Sequence, residues 1–423
     1  MARFLIPIAL LCGTLLAFHV FPLTPVTSYA VLFIAASIAF LWMAFQTFRT
    51  EVSGRVLSAL ALLALLVRLS FLFTLPVGSD DVYRYLWDGK VQSAGINPYQ
   101  YPPDAEELRS LHSALLPSLV NHPEMGTVYL PLSQWAFYLA YQISGENVWG
   151  FKLLLLLSEI AALWGLVLLL ARLRIPHKFI LLYLLCPLAI ASFAIDAHVD
   201  ALGLPFLIFS LLSYLNGKRI LSLLLLGASM SVKPVGLILL PLLFFLEKDI
   251  KARVQVLLVP LLVVGLQFLP YLGSSMPIQS LETFAKHWTF NGVVHETLFL
   301  YFADNQKTRI VCGILLAAAV LLLSLSRREL TDKVYFAMLL LLLFSPVVHP
   351  WYVTWLAVLL PIARRWSGIV LTGAVSVTAF TVMQYKLSGV WAQHPLLLLV
   401  EYLPVIVLLF VELRKPAPPV TTQ

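Results

Sequence analysis

The chain has 423 residues, of which 60% are hydrophobic and only 12% are charged. Soluble domains carry about 25% charged residues, whereas this sequence repeats apolar runs of about 20 residues from end to end, so it describes a polytopic membrane protein and excludes a soluble one. The net charge of +7 is spread over the connecting loops without forming a patch, and nucleic acid is therefore not expected as a partner.

We predict an all-α fold, a polytopic transmembrane bundle in which residues 1–423 form a single membrane domain of about fourteen membrane segments, two of them short. The first run, 4–22, resembles a signal peptide, but the many spans after it favour an uncleaved helix. Further spans are predicted at 28–47, 56–75, 149–171, 179–195, 199–215, 254–272, 309–326, 333–348, 351–363, 368–385 and 396–413, with the short pair at 220–231 and 235–246.

Basic residues predict the topology of these spans. With the N-terminus inside, most of the 28 Lys and Arg fall on short connections at the inner face, as the positive-inside rule requires. This arrangement holds if the segment 129–143 lies on the outer surface as a helix and does not cross. The loops 76–148 and 273–308 are then extracytoplasmic, both termini are cytoplasmic, and the protein belongs in the inner (plasma) membrane.

The long outer loop begins with an acidic helix start. Ser79 precedes Asp80 and Asp81, and serine is a favoured N-cap while acids in the first turn are stabilised by the helix dipole. Helical spacing puts Tyr85 and Asp88 on the same face as Asp81, whereas Asp80 can pair with Arg84 four residues later. The alternative interpretation is that these acids only cap and solvate a helix end.

A turn follows this helix. Residues 95–99 read Gly-Ile-Asn-Pro-Tyr, which predicts a rigid extended turn that carries aromatic rings. Tyr99 either serves only to turn the chain or contacts a substrate, and the sequence does not separate the two roles.

Ionisable residues also stand at two other membrane boundaries. Asp196, His198 and Asp200 lie where two spans meet at the outer face, and such groups are costly at a membrane unless they are used or hydrated. We interpret them as a polar pocket wall; a zinc site lacks further ligands at suitable spacing, so a metal is not expected, although it is not excluded. Lys233, before Pro234, breaks an apolar stretch, and a lysine there needs an anion unless it snorkels to the surface.

A second group of candidates lies in the later outer segments. Lys286 and His287, beside Trp288, suit contacts to a lipid headgroup or a phosphate, and His349 stands at a further break between spans on the same side. The substrate-binding candidates are thus Arg84, Asp88, Tyr99, His198, Asp200, Lys233, Lys286, His287 and His349.

These motifs together resemble the GT-C glycosyltransferases, integral-membrane enzymes that use polyprenyl-phosphate sugars. The acidic first loop and the Gly-x-Asn-Pro-Tyr turn are similar to the GPI mannosyltransferase I branch and to related bacterial mannosyltransferases. In that branch one residue separates the two acids and a serine precedes the proline, whereas here Asp80 and Asp81 are adjacent and Asn97 replaces the serine. Spacing favours Asp81 as the family's acid and keeps Asp80 as the alternative. His198-x-Asp200 and Lys233-Pro match two further short motifs of the family.

The resemblance implies an inverting transferase that needs no cofactor. It would move a sugar, mannose by analogy, from a polyprenyl-phosphate donor to a glycan or lipid acceptor at the outer face. Asp81 or Asp80 would take the proton of the acceptor hydroxyl, and a cationic side chain would stabilise the phosphate leaving group. A transporter or lipid-linked-sugar flippase is the alternative, but such proteins place ionisable residues near the midplane, whereas here Arg68 and Lys233 are the bases within the membrane stretches and the acids cluster in the outer loop.

Overall fold

The computed structural model describes residues 2–20, 25–273 and 278–414. Within these ranges the chain forms helices and connecting loops, with no β-strand. The predicted all-α class is thereby confirmed.

Six helices in the described ranges are long and apolar enough to cross a membrane, and a seventh span arises if His177–Leu184 and Pro187–Ile195, bent by 42° at their break, are counted together. The six are Pro25–Arg49, Val148–Arg172, Ile250–Gln267, Asn305–Leu325, Trp366–Ser388 and Pro395–Arg414. Shorter apolar helices are Arg3–His19, Val199–Leu215, Arg219–Met230, Pro234–Leu246 and Val293–Phe302. The larger number of membrane segments expected from the sequence includes these shorter helices and stays a prediction.

The remaining helices are Gly54–Ser70, Asp81–Ser93, Glu106–Leu111, Pro131–Ser144, Ile278–His287, Leu330–Phe344 and the short turns Leu269–Tyr271, Pro350–Val353, Thr354–Ala357 and Leu360–Ala363. Below, Asp81–Ser93 is called the acidic helix and Pro131–Ser144 the surface helix. With 14 residues, the surface helix is shorter than the roughly 20 residues that a membrane crossing needs.

The chain divides into two compact units. One comprises Met1–Phe71, Leu166–Ser192 and Thr289–Gln423, and the other comprises Leu72–Gly165 and Phe193–Trp288. The first unit is built around Pro25–Arg49, which packs against Ala2–Leu16 and Trp366–Ala374. Its buried charges are compensated: Arg365 binds both carboxylate oxygens of Asp332 at 2.7 Å.

The second unit holds the acidic helix against the surface helix. Gly89 permits this close approach, because a Cβ atom there would lie only 2.3 Å from the carbonyl oxygen of Phe137. The ring of Tyr85 stacks on Phe137 at 4.6 Å. The surface helix is also tied to the break in the apolar helices, since the Ser133 hydroxyl donates to the carbonyl of Val232 at 3.1 Å. These contacts bring the acidic helix and the break at Lys233 into one unit.

Candidate active site

The connection 196–200 forms one wall of the site. Ala197 has a left-handed backbone, with φ of 59°, which turns the chain sharply between Asp196 and His198. The side chains of His198 and Asp200 are buried. The connection is a compact turn with buried ionisable groups, and its role as a polar pocket wall stays a prediction.

Asp81 begins the acidic helix beside this wall. Its N–H donates to the Ser79 hydroxyl at 3.2 Å, but the N-cap position is occupied by Asp80 and not, as predicted, by Ser79. One carboxylate oxygen of Asp81, Oδ2, lies 3.5 Å from Nδ1 of His198. The other, Oδ1, accepts a 2.9 Å hydrogen bond from the Asn121 side chain. The Asp81 side chain remains 21% exposed, so its carboxylate is held on two sides and still accessible.

Lys233 completes the cluster. It lies between the helices Arg219–Met230 and Pro234–Leu239, which confirms the predicted break, and its backbone is extended. Its Nζ donates to Oδ1 of Asp200 at 2.8 Å. The positive charge of Lys233 also acts on Asp81. The structure thus groups Asp81, His198, Asp200 and Lys233, which the sequence had proposed separately, and we call these four residues with Asn121 the polar cluster.

The groups around Asp81 shift its pKa in opposite directions. Burial raises the pKa of Asp81 above its ordinary value of 3.8, while the hydrogen bond from Asn121 and the charge of Lys233 lower it. The nearby carboxylates of Asp80 and Asp200 raise it further. A carboxylate with a raised pKa is a stronger base than a solvated one, which suits proton abstraction.

Arg84 organises the loop that carries Asn121. Its guanidinium donates to the carbonyls of His122 at 2.8 Å and Met125 at 2.9 Å, and more weakly to that of Asn121 at 3.4 Å. These carbonyl contacts take the place of the predicted ion pair with Asp80. Arg84 therefore acts on Asp81 indirectly, by fixing the loop from which Asn121 reaches it.

Asp88 lies on the inward side of the acidic helix. It is 2% exposed, and its Oδ2 accepts a 2.8 Å hydrogen bond from the Gln134 side chain of the surface helix. Tyr85 is equally buried. The contacts of Tyr85 and Asp88 with the surface helix give both residues a role in helix packing, and substrate binding by Asp88 stays a prediction.

The Gly-x-Asn-Pro-Tyr segment forms the predicted turn. Gly95 takes the left-handed conformation, with φ of 76°, and Oδ1 of Asn97 accepts the N–H of Tyr99 at 3.0 Å. The ring of Tyr99 is buried, and its hydroxyl donates to the carbonyl of Tyr129 at 2.8 Å. Of the two roles left open for Tyr99, the structure supplies contacts for the structural one.

The later candidates belong to other segments of the chain than the members of the polar cluster, although the ring of Trp288, next to His287, lies 5.0 Å from that of His122, next to Asn121. Lys286 and His287 are exposed near the end of the helix Ile278–His287, and Lys286 pairs with Glu282 one turn earlier. His349 belongs to the first unit, where its ring lies parallel to that of Trp351 at 4.4 Å.

Two residues that support the site, Asn121 and Lys152, were not proposed from the sequence. Asn121 lies in a loop without a motif, and nothing in its neighbours indicates a partner 40 residues earlier. Lys152 is a single charge near the start of an apolar helix, and a charge in that position could have been recognised in the sequence. In the structure its Nζ donates to the carbonyl of Thr74 at 2.8 Å. In the ranges that the structure describes, no three His, Cys, Asp or Glu side chains are grouped as a metal site.

An apolar groove lies in the same unit. It has a volume of about 560 Å³ and is lined by the surface helix and by Val148–Arg172 and Leu204–Leu215, including Trp135, Leu157 and Phe206. Leu202, which also lines it, shares a short helical turn with Asp200. One residue that lines the groove therefore lies in the same helical turn as a member of the polar cluster.

Two family models match the chain. Residues 11–247 match the model described as alpha-(1->6)-mannopyranosyltransferase, N-terminal domain, and residues 295–414 match the MptB C-terminal domain. No curated protein and no solved structure matches the chain. Together with the helical fold, these matches define a multi-pass membrane glycosyltransferase of the GT-C type that uses a lipid-linked sugar. The chain belongs to the alpha-(1->6)-mannopyranosyltransferase family. This decides for the enzyme and against the transporter or flippase alternative.

Proposed function

We propose that the enzyme transfers mannose from a polyprenyl-phosphate donor to a hydroxyl of a glycan or lipid acceptor at the outer membrane face, with inversion and with Asp81 as general base. The observation that carries this proposal is the position of Asp81: an accessible carboxylate, with a raised pKa, held beside His198 and near the Lys233–Asp200 pair. Asp80 precedes the helix and keeps the role of the alternative acid.

The chemistry is a single displacement. The acceptor oxygen attacks the anomeric carbon while its proton passes to the Asp81 carboxylate, and the bond from that carbon to the phosphate oxygen breaks. The phosphate leaves with the bonding electrons as polyprenyl phosphate. A positioned base contributes roughly 10² to 10⁴ in rate to such a step, and the step balances without a cofactor.

Lys233 is the candidate for binding the donor phosphate. Its side chain is 21% exposed while that of its partner Asp200 is 1% exposed, so part of the lysine side chain is accessible to a ligand. An ammonium in a water-poor site stabilises the charge that develops on the leaving phosphate. Asp200 holds the ammonium in place and compensates its charge when no phosphate is bound.

The apolar groove suits the polyprenyl tail. A chain of isoprene units offers only apolar surface, and burial of such surface is favourable at roughly 25 cal/mol per Å². The groove is lined by leucine, phenylalanine and tryptophan side chains. One of them, Leu202, lies in the same helical turn as Asp200. A donor with its tail in the groove would bring its phosphate toward Lys233.

The outer orientation rests on the distribution of basic residues. Inner-face connections hold most of the Lys and Arg, which assigns the loop with Asp81 to the outside of the inner (plasma) membrane and both termini to the cytoplasm. Donor, base and acceptor would then meet just outside the bilayer.

Purified protein offered a panel of polyprenyl-phosphate sugars tests the proposal. We expect release of polyprenyl phosphate with the mannose donor and an acceptor glycan, an inverted anomeric configuration in the product by NMR, and loss of the reaction in Asp81→Asn. Retention of configuration, or full activity of both Asp81→Asn and Asp80→Asn, would contradict this assignment of the loop.

A further inference from the structure

Two buried charges outside the polar cluster hold the segment that leads into Asp80 and Asp81. Asp196 is 2% exposed and Lys152 is 3% exposed. They come from different elements, the connection 196–200 and the helix Val148–Arg172. Burial of a charge is costly unless the group is bound, so what each of them binds is informative.

Asp196 binds two successive peptide groups. Its Oδ1 accepts hydrogen bonds from the N–H of Val77 at 2.9 Å and of Gly78 at 2.7 Å. Hydrogen bonds to a carboxylate are shorter and stronger than those between neutral groups. A single side chain thereby fixes the direction of the backbone immediately before Ser79.

Lys152 binds the same segment a few residues earlier. Its Nζ donates to the carbonyl of Thr74 at 2.8 Å and to the Thr74 hydroxyl at 3.2 Å. The charge of Asp196 acts favourably on Lys152, so the two anchors stabilise each other. The segment 74–78 is consequently held at both of its ends.

The same connection that anchors this segment also presents His198. Asp196 and His198 are separated only by Ala197, whose left-handed backbone fixes their relative direction. Asp81 in turn follows the anchored Gly78 by three positions. The 3.5 Å approach of Asp81 and His198 is thus set by the Asp196 anchor, since a shift of residues 77–78 moves the start of the acidic helix with it.

We propose that Asp196 and Lys152 are positioning residues for the transfer reaction, holding the Asp81 carboxylate in its reactive place; this inference rests on the proposed function. Neither side chain needs to touch a substrate. A displacement of about 1 Å of a reacting group can reduce turnover by roughly 10²-fold, so loss of the anchor should appear in kcat.

The test compares Asp196→Ala, Asp196→Asn and Lys152→Met with Ser210→Ala. The control removes another buried hydrogen bond of the same unit, from the Ser210 hydroxyl to the carbonyl of Ser222 at 2.8 Å. Hydrogen exchange of the peptide covering 72–82 reports on the anchor without any assay of activity. Turnover, the KM of the donor and the pH profile report on the position of Asp81.

We expect faster exchange in Asp196→Ala and Lys152→Met, with kcat lower by roughly 10- to 100-fold and the KM of the donor nearly unchanged. Asp196→Asn keeps an acceptor oxygen and should recover much of the kcat, while Ser210→Ala should match the wild type in both measurements. The acid limb of the pH profile should move to lower pH in Asp196→Ala, because a displaced Asp81 is better solvated. The groups that face or act on Asp81, namely Asn121, His198, Asp80, Asp200 and Lys233, are unchanged in these variants.

Unchanged exchange, or faster exchange with wild-type kcat, would overturn the inference while leaving the proposed function intact. If the wild-type protein is inactive but exchange is faster in the variants, the result contradicts the proposed function. It still supports the conclusion that Asp196 and Lys152 hold the segment 74–78 in place. If Asp196→Ala gives no folded protein, Lys152→Met decides: a wild-type kcat in this variant refutes the inference, and a fall in kcat without loss of thermal stability supports it.

Discussion

The carboxylate of Asp81 and the imidazole of His198 approach to 3.5 Å, between Oδ2 and Nδ1, although one begins the acidic helix and the other lies in a connection far along the chain. This contact joins the start of the acidic helix to the turn that also carries Asp200, the ion-pair partner of Lys233. The candidate base and the candidate phosphate-binding cation are therefore positioned by one short connection.

Asp81→Asn should lower turnover by roughly 10² to 10⁴, the usual contribution of a general base, because the amide fills the same space without accepting a proton. Donor affinity should hardly change. Asp80→Asn is the matched control and should keep most of the activity, since Asp80 lies before the first turn. The turnover of both variants, measured in one assay, shows which acid is the base. Full activity of Asp81→Asn with loss of activity in Asp80→Asn would assign the base to Asp80.

Asn121→Ala should move the acid limb of kcat/KM to higher pH. The base acts in its deprotonated form, so activity falls as the pH drops through the pKa of Asp81, which lies above 3.8 in the folded protein. The hydrogen bond from Asn121 lowers that pKa, and its removal raises it. The pH profile measures the shift. Asn147→Ala, which removes an amide that donates to the nearby Ser144 carbonyl at 3.1 Å, is the control and should leave the limb in place.

Lys233→Met should weaken binding of polyprenyl phosphate by roughly 10- to 100-fold, since a hydrogen bond to a charged group contributes about 1.5–3 kcal/mol. The single change also removes the ion-pair partner of Asp200, and breaking a buried pair costs about 3–5 kcal/mol of stability. The double variant Lys233→Met with Asp200→Asn separates the two effects, because it removes both charges. Titration with polyprenyl phosphate, together with thermal unfolding, measures them. Wild-type affinity in the double variant would remove Lys233 from the donor site.

Cysteines placed at Ser110 and His287 should react with a membrane-impermeant maleimide in intact cells, whereas one at Lys248 should not. All three positions are exposed in the structure, and the native cysteines are buried, so labelling reports the side of the membrane. Permeabilised cells should label at every position, which serves as the control for reactivity. Protection of Ser110→Cys or His287→Cys in intact cells would refute the predicted topology.

Chelation with EDTA should leave turnover unchanged, because the proposed displacement stabilises the leaving phosphate with Lys233 and not with a metal ion. The measurement is release of polyprenyl phosphate before and after chelation, with added Mg²⁺ or Mn²⁺ in parallel. Loss of activity that either ion restores would assign a metal to the donor phosphate.

The sequence by itself determined the helical class and most helix positions, because hydropathy over a span's length leaves few alternatives for a chain in a bilayer. It also located the break at Lys233 and, to within one residue, the start of the acidic helix, whose N-cap is Asp80 and not Ser79, since capping chemistry and a proline without an N–H act within a few residues. The family resemblance likewise depended on short local motifs and is confirmed by the two matched models.

Only the tertiary structure decided which side of the acidic helix faces the polar cluster. Successive helical residues point about 100° apart, so a pattern with apolar and polar residues on several sides does not show that Asp88 is buried while Asp81 is accessible. The structure also brought Asn121, Asp196 and Lys152 to the segment that ends in Asp81. Each of these contacts joins residues far apart in the chain, and their energies depend on distances of a few ångström that packing sets and local sequence does not encode.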